Sequence, residues 1–386
     1  MKKHNPIKFN VHIYPSPFEN ESRILKVTKS LIMHNIVESV LIIAKAKAGL
    51  PQKQQIDDFR HVLRVKTGID GPGLLAKIIG FIEWSIRVIM QLKHEAVDMV
   101  NCHSLSVLPL CVALKFRYHC LLVYEPHELE TETHESKGIR KKLAKITEKA
   151  LIRFVDKTFV VSASIADQYA QMYRIVTPTV ILNCPVYISP TQNDLFRKHF
   201  CLSSDAVIFL YQGNLAKERG VHTILESFKR ISDSKIVIIF MGSGPLEAEI
   251  KKNVDENRNI YLHSAVPPEV VLRYTASADV GIHFIPNTCL NHYYCMPNKL
   301  FEYSMAGLPV IISNMHEMAS FVNKHNTGIV LQNESAETLI KAIYAISKKD
   351  LSALKKNALE VAKIFCWEEQ EKIMIVEYRK LFRSKK

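Results

Sequence analysis

The sequence predicts an α/β protein built from two parallel-sheet domains, and three observations predict it. Short β-rich apolar runs alternate with amphipathic stretches along the chain, the pattern of parallel sheets covered on both faces. The length, 386 residues, exceeds one ordinary core and suits two domains of roughly 150–200 residues. A stretch at residues 176–192 (VTPTVILNCPVYISPTQ) holds prolines at 178, 185 and 190 and then turns polar, which places a domain boundary near residues 183–190. The expected division is residues 1–186, residues 187–362 and a C-terminal helical segment, residues 363–386.

Strands are expected at residues 40–44, 99–102, 120–124, 157–161 and 179–182 in the first half. In the second half they fall at 207–212, 235–241, 260–262, 280–284, 309–312 and 328–331. Amphipathic patterns at residues 23–34, 143–154, 221–232 and 336–346 supply crossover helices, and residues 367–382 form a last helix with a basic end. Ligands of such sheets bind beyond the carboxyl ends of the strands, so two such domains facing each other would enclose a cleft.

Hydrophobic residues make up 47% and charged residues 23%, which excludes a disordered chain, a collagen-like fibre and a polytopic membrane protein. The net charge of +13 is uneven: residues 1–185 carry +9 and the remainder +4. The first half therefore faces something anionic: nucleic acid, a phospholipid surface or a phosphorylated small molecule. No nucleic-acid-binding module or interleaved aromatic strip is present, so nucleic acid is not expected. The eight cysteines form no CxxC pair and several sit in apolar runs, which suits reduced, buried thiols. The basic N-terminus is followed by no apolar leader region, and no run approaches the ~18 apolar residues of a spanning helix, so a cytoplasmic protein is expected.

Chemistry is concentrated at three strand ends of the second half. Residues 293–311 (YYCMPNKLFEYSMAGLPVI) place Pro297 at a helix start. Asn298, Lys299 and Leu300 follow in its first turn, where free N–H groups and the helix dipole attract anions. Glu302, one turn on, can accept hydrogen bonds from a ribose diol. Residues 207–220 (VIFLYQGNLAKERG) end a buried strand at Gly213-Asn214 and bring in Arg219, a fork of fixed donors for a diphosphate. Residues 238–246 (IIFMGSGPL) end another strand in Gly242 and Gly244. Each stretch alone is as well explained by a tight turn or a capped helix. The combination is not.

These motifs resemble the family-4 glycosyltransferases. The match runs through Gly213–Leu215, Arg219–Gly220, Gly242–Pro245, Ala278–Gly281 and residues 297–311, in that order and at family-like spacing. The resemblance implies the GT-B fold, two Rossmann-like domains around a cleft, and retention of anomeric configuration. It also implies a metal-independent reaction with no cofactor; the chain has no Asp-x-Asp pair to hold a metal–diphosphate. Arg219, Lys299 and the 298–300 backbone would stabilise the leaving diphosphate, and Glu302 would hold the ribose. His127, in YEPHE at residues 124–128, would meet the transferred sugar, which makes His127, Arg219, Lys299 and Glu302 the expected catalytic residues. Gly213, Asn214, Gly242, Gly244, Tyr294, Pro297, Asn298 and Leu300 are expected to bind the donor. The sequence departs from the family in two places: Tyr294 stands where the first of two catalytic-block glutamates is usual, and Asn214 replaces an arginine. The last helix resembles the one that crosses back to the first domain.

The first half matches less tightly, through Ser22 and Arg23 after the first strand, and through His103 and Glu128. These four are expected on the acceptor side, Arg23 toward acceptor phosphates. The run HELETETHE at residues 127–135 has no metal-ligand spacing and reads as a solvated acidic loop. A helix around Trp84 and Phe81, and the basic stretch 137–153, suit contact with an anionic membrane. The whole is expected to be a peripheral, inner-face enzyme of surface-polysaccharide assembly, with a UDP-sugar as donor and a glycan or diphosphate-lipid-linked glycan as acceptor. Two alternatives remain from the residues themselves: a non-catalytic GT-B partner subunit, motivated by Tyr294, and a sugar-nucleotide epimerase of the same architecture.

Overall fold

The computed structural model of the chain describes residues 7–19, 21–69, 71 and 73–383. They form two compact units, Met1–Ile181 with Glu371–Lys386, and Leu182–Gln370. In chain order the first unit comprises β1 (Ile7–Ile13), α1 (Ser22–Met33), β2 (Val37–Lys45), β3 (Lys53–Gln55), β4 (Arg60–Val65) and α2 (Leu74–Gln91). It continues with β5 (Met99–Cys102), α3 (Leu108–Tyr118), β6 (Leu121–Tyr124), α4 (Gly138–Leu151), β7 (Lys157–Val160), α5 (Ala163–Tyr173) and β8 (Thr179–Val180). The sheet order is β3-β4-β2-β1-β5-β6-β7-β8, parallel except for the antiparallel β3–β4 pair.

The second unit runs α6 (Leu195–Phe200), β9 (Val207–Asn214), α7 (Val221–Lys229), β10 (Ile236–Ser243), α8 (Glu247–Glu256), β11 (Ile260–Ser264) and α9 (Pro268–Thr275). After these come β12 (Val280–His283), α10 (Leu290–Tyr293), α11 (Asn298–Met305), β13 (Val310–Ile312), α12 (His316–His325), β14 (Gly328–Val330), α13 (Ala336–Ser347) and α14 (Ser352–Ile364). Its sheet, β11-β10-β9-β12-β13-β14, is wholly parallel. The last helix, α15 (Trp367–Arg383), starts among residues of the second unit, and from Glu371 on it belongs to the first. There the Tyr378 hydroxyl meets Asn101 Nδ2 at 2.6 Å and Glu125 at 3.2 Å.

Both sheets reverse their strand order once, the first between β1 and β5 and the second between β9 and β12. At such a reversal the flanking helices diverge to opposite faces and leave a crevice beyond the strand ends. Strands of this kind are buried on both faces and read as continuous apolar runs. In β10, Ile236, Ile238 and Phe240 pack with Phe209 and Phe228 on one face. Val237, Ile239 and Met241 pack with Leu210, Leu300 and Tyr303 on the other.

Four details depart from expectation. Strands β3 and β4 were not expected, because their sequences, KQQ and RHVLRV, are polar or charged. Arg64 is nevertheless buried in β4: its guanidinium donates to the carbonyls of Pro17, Phe18 and Pro51 and to Gln54 Oε1, at 2.7–3.0 Å. Satisfied in this way, a buried guanidinium is tolerated. Trp84 does not lie on the solvent face of α2. It is fully buried beside Val88, while Leu75, Ile78, Ile79, Ile82, Ile86 and Met90 form the exposed stripe. The run 127–135 is not a solvated acidic loop, since Leu129 and Thr131 are fully buried and Glu132 nearly so. Glu132 is held by Lys141 at 2.6 Å and Lys145 at 2.5 Å, which removes two lysines from the free basic face of α4. On the inner side of the same helix, buried Glu148 accepts from the hydroxyls of Tyr124, Tyr169 and Tyr173.

Gly281 and Tyr303 lock α11 onto the sheet. A Cβ at Gly281 would lie 2.6 Å from the Tyr303 ring, and the Tyr303 hydroxyl donates to the carbonyls of Leu210 and Ile282 at the centre of the sheet. Gly281→Ala is therefore expected to lower stability by ~1–3 kcal/mol, the range for overpacking a closed core. Urea unfolding monitored by circular dichroism measures it, and an unchanged midpoint would contradict the lock.

Candidate functional site

In the second unit the strand ends at the reversal carry the residues singled out by their sequence. Gly213 and Gly242 are register partners at the ends of β9 and β10, and a Cβ on Gly242 would lie 1.9 Å from the Gly213 carbonyl oxygen. Gly213 itself has φ +115°, and its missing Cβ would fall 2.6 Å from Lys299 Cε. The lysine stem thus lies across the bare backbone of β9. Its ammonium rests 4.3 Å above the centre of the Tyr211 ring and donates to the Tyr211 hydroxyl at 3.3 Å. Gly244, at φ +155°, faces Asn214 Oδ1 and the Leu215 backbone so closely that a side chain there would clash at 2.6–2.7 Å.

Pro297 is the N-cap of α11, and Asn298 is its first helical residue. The Leu300 N–H is already donated to the Pro297 carbonyl at 3.1 Å, so the expected 298–300 backbone cradle reduces to the N–H groups of Asn298 and Lys299. Glu302, on the next turn, accepts from Gln212 Nε2 at 2.5 Å, and Gln212 Oε1 in turn accepts from Thr275 at 2.7 Å. Tyr294 caps α10 and packs edge-on to Tyr293, with ring centroids 5.1 Å apart, and to His316 at 6.1 Å.

The electrostatics of this cluster are one-sided. Among the described residues no carboxylate lies within ion-pairing distance of Arg219 or Lys299. Burial pushes the Lys299 ammonium down to about 7, the Arg219 charge pushes the same way, and Glu302 opposes them. Beside it at the end of β12 sits His283, 2% exposed, with neither ring nitrogen partnered. Burial first, then Lys299 and Arg219, holds its pKa well below the ordinary range, so it stays neutral. A half-buried cluster of cations unpaired with carboxylates, over bare backbone, has the chemistry to take an anion.

In the first unit the corresponding strand ends carry imidazoles. His103 follows β5 and is fully buried, between His12 of β1 and His127 beyond β6. Arg23 on α1 is 4% exposed and donates to the Ile181 carbonyl at 3.0 Å, so it is buried rather than open to acceptor phosphates. His103 is likewise closed off from solvent. Ser22 opens α1 and is half-buried, Glu128 is exposed, and His127 is half-buried. Glu130 has its carboxyl raised to about 8 by burial and by Glu148 and Glu128, although bonds from Leu105 and Ser104 oppose the shift. The sequence reading did not single out Tyr211, Gln212, His283, Asn10 or His12. A polar residue inside an otherwise apolar strand was the available signal for four of them. No helix among the described residues is long and apolar enough to cross a membrane.

Comparison with known proteins bears on the family and the fold. In Staphylococcus aureus, a capsular polysaccharide biosynthesis glycosyltransferase, CapM, is 26% identical over 153 residues, 39% of each chain. TuaC of Bacillus subtilis, a putative teichuronic acid biosynthesis glycosyltransferase, is 25% identical over 147 residues, 38% of this chain and 34% of that protein. The aligned stretches thus span little more than a third of either relative. Among solved structures, sucrose-phosphate synthase from Thermosynechococcus elongatus superposes with a TM-score of 0.82 at 16% identity, covering 98% of this chain and 100% of that one. Anabaena HepE in complex with UDP gives 0.71 at 14%, covering 97% and 100%. WaaG, a glycosyltransferase involved in lipopolysaccharide biosynthesis, gives 0.71 at 14%, covering 95% and 98%. At these identities the likeness is one of fold, and the fold is GT-B. Residues 38–188 match the family described as Glycosyltransferase Family 4, and residues 206–349 match Glycosyl transferases group 1. Motif order, fold and both matches agree, and the chain belongs to the family-4 glycosyltransferases.

Proposed function

We propose that the protein transfers a sugar from a UDP-sugar to a glycan or diphosphate-lipid-linked glycan in polysaccharide biosynthesis, with retention of configuration and without a metal ion. Lys299 lying against the glycine-lined end of β9, with the Arg219 charge close enough to act on it and no carboxylate paired with either among the described residues, carries this reading. A sugar leaves a nucleotide diphosphate only if the departing charge is stabilised, and preorganised donors in a half-buried site do that best. Arg219, Lys299 and the N–H groups of Asn298 and Lys299 would supply the donors. Gly213, Gly242 and Gly244 would let the diphosphate approach the backbone beside Asn214. Glu302, fixed by Gln212, would take the ribose diol. His127 would hydrogen-bond the transferred sugar, and the departing phosphate would accept the acceptor's proton on the same face. Anabaena HepE is known in complex with UDP and glucose and with UDP-glucose, which supports UDP as the nucleotide.

The test is incubation with nucleotide sugars and with glycan and lipid-linked acceptors. Transfer supports the reading; nucleotide-sugar isomerisation without an acceptor would make it an epimerase, and nucleotide binding without turnover a non-catalytic subunit. Arg219→Ala or Lys299→Ala should lower turnover by ~10²-fold or more, and EDTA should leave it unchanged. Complete loss with EDTA, restored by Mg²⁺, would refute the metal-free assignment.

Lys299 also predicts a proton linkage. Burial and Arg219 push its ammonium down to about 7, and a diphosphate beside it would raise that value. At pH 8 the Lys299 amine is then mostly neutral in the free protein and mostly protonated beside the diphosphate, while Arg219 stays charged in both, so UDP binding takes up a proton and weakens as pH rises above 7. Calorimetry at pH 8 in buffers of different ionisation enthalpy measures the uptake. Proton release would contradict it.

The acceptor side is proposed to lie at an anionic membrane. The crossovers β4-α2-β5, β5-α3-β6 and β6-α4-β7 step the same way along the sheet, and right-handed crossovers put α2, α3 and α4 on one face. That face exposes the α2 stripe, Phe116 of α3, and Ile139, Leu143 and Ile146 of α4. Arg140, Lys142 and Lys149 are exposed among them. Apolar side chains ringed by basic ones suit an interfacial surface. The protein should sediment with anionic vesicles at low salt and be released as salt rises. Ile82→Asp, or Glu at positions 140, 142 and 149, should weaken that binding with UDP affinity unchanged. A wild-type protein that ignores such vesicles at low salt would point to a soluble acceptor.

A further inference from the structure

Three imidazoles and one amide form an unbroken hydrogen-bonded chain at the strand reversal of the first unit. Asn10 Nδ2 lies 2.9 Å from His12 Nε2, His12 Nδ1 lies 2.8 Å from His103 Nε2, and His103 Nδ1 lies 3.4 Å from His127 Nε2. The His12 and His103 rings stack at 5.1 Å, and Tyr14 packs against His127 at 5.3 Å. Asn10, His12 and His103 are fully buried, and His127 is the member that reaches the surface.

Such a chain has a direction. A neutral imidazole carries one N–H and one lone pair, so the role of one nitrogen fixes the role of the other. An amide nitrogen can only donate. His12 Nε2 therefore accepts from Asn10, which puts the His12 proton on Nδ1, facing His103. The same step repeats at His103, whose Nδ1–H faces His127 Nε2. The His127 proton is then on Nδ1, the nitrogen turned away from the chain. Turning the Asn10 amide over would reverse every bond. It would also move the amide nitrogen to where Asn10 Oδ1 now lies buried without a partner, leaving both of its N–H groups unmet where only one is unmet now.

The rings are neutral, as this logic requires. Burial is the leading cause for all three, lowering His103 to about 3 and His12 and His127 well below the ordinary range. The Arg23 charge adds to the effect at His103 and His127, and Glu125 opposes it at His12.

We propose that Asn10, acting through His12 and His103, is a positioning residue that holds His127 in its Nδ1–H tautomer, so that the ring offers its substrate a hydrogen-bond donor. The contact is then with a lone pair on the sugar, such as a hydroxyl or carboxylate oxygen, and not with an ammonium group. This rests on the reading of His127 as a sugar contact, but the tautomer can be measured without any substrate.

Ring ¹⁵N–¹H correlation spectra of the labelled full-length protein read each tautomer directly. His127 should show a protonated Nδ1 and a bare Nε2; a protonated Nε2 in the wild type would overturn the proposal. Asn10→Asp nearly preserves the shape but can only accept, so at pH 9, where a carboxylate-paired imidazole is also neutral, all three tautomers should reverse. An unchanged His127 in that variant, folded by circular dichroism, would likewise overturn the relay. If Asn10→Asp does not fold, His103→Phe cuts the chain and should release His127 into a mixture of tautomers; a His127 still held wholly as Nδ1–H would refute the relay. With transfer assayed, Asn10→Asp should reduce kcat/KM by about tenfold or more while UDP affinity is unchanged. Should His127→Ala leave transfer untouched, the sugar contact fails, and the spectra still decide the relay.

Discussion

Lys299 lying across Gly213 is the contact on which the proposed donor site depends. Only a residue without a Cβ lets the stem pass, since a methyl group there would sit 2.6 Å from Cε. The stem is thereby partly desolvated and the ammonium is aimed along the strand end onto Tyr211. Arg219 repels it, Glu302 offsets this only in part, and among the described residues no carboxylate pairs with it, an arrangement that an incoming anion would relieve. The neighbouring glycines serve the same end, Gly242 by allowing β9 and β10 to close on each other and Gly220 by passing Phe284 at φ +67°.

The first unit handles the equivalent position in the opposite way. Its reversal between β1 and β5 is filled with neutral imidazoles and an amide rather than cations. Burial there suppresses charge instead of concentrating it, and what survives is direction. Both sheets reverse their strand order beside a central strand, yet the groups placed at that reversal differ in kind.

Much of this was legible in the sequence where chemistry and local structure coincide. Arg219-Gly220 and Pro297-Asn298-Lys299 are contiguous, so a motif carries both their geometry and their charge. The pairs that complete the site are not local: Gln212 and Glu302 stand 90 positions apart, and His12 and His103 stand 91 apart. No periodicity announces such partners. Strand β4 was hidden by its arginines, because Arg64 is acceptable in a core only with acceptors supplied by residues 17, 18, 51 and 54. The buried side of α2 was equally obscure. That helix is apolar on nearly all sides, so sequence alone could not tell which face Trp84 takes.

The ends of the first sheet have a consequence of another kind. An open parallel sheet presents unpaired backbone groups at both margins, a template on which a second chain can add. Here one margin is the three-residue, antiparallel β3, whose Lys53, Gln54 and Gln55 are all exposed, and the other is the two-residue β8. A strand that short offers few rungs, and a lysine in it places charge where a foreign strand would dock. The long apolar strands inside are thus shielded from edge-to-edge polymerisation, and the sheet can carry eight strands without becoming a seed for aggregation.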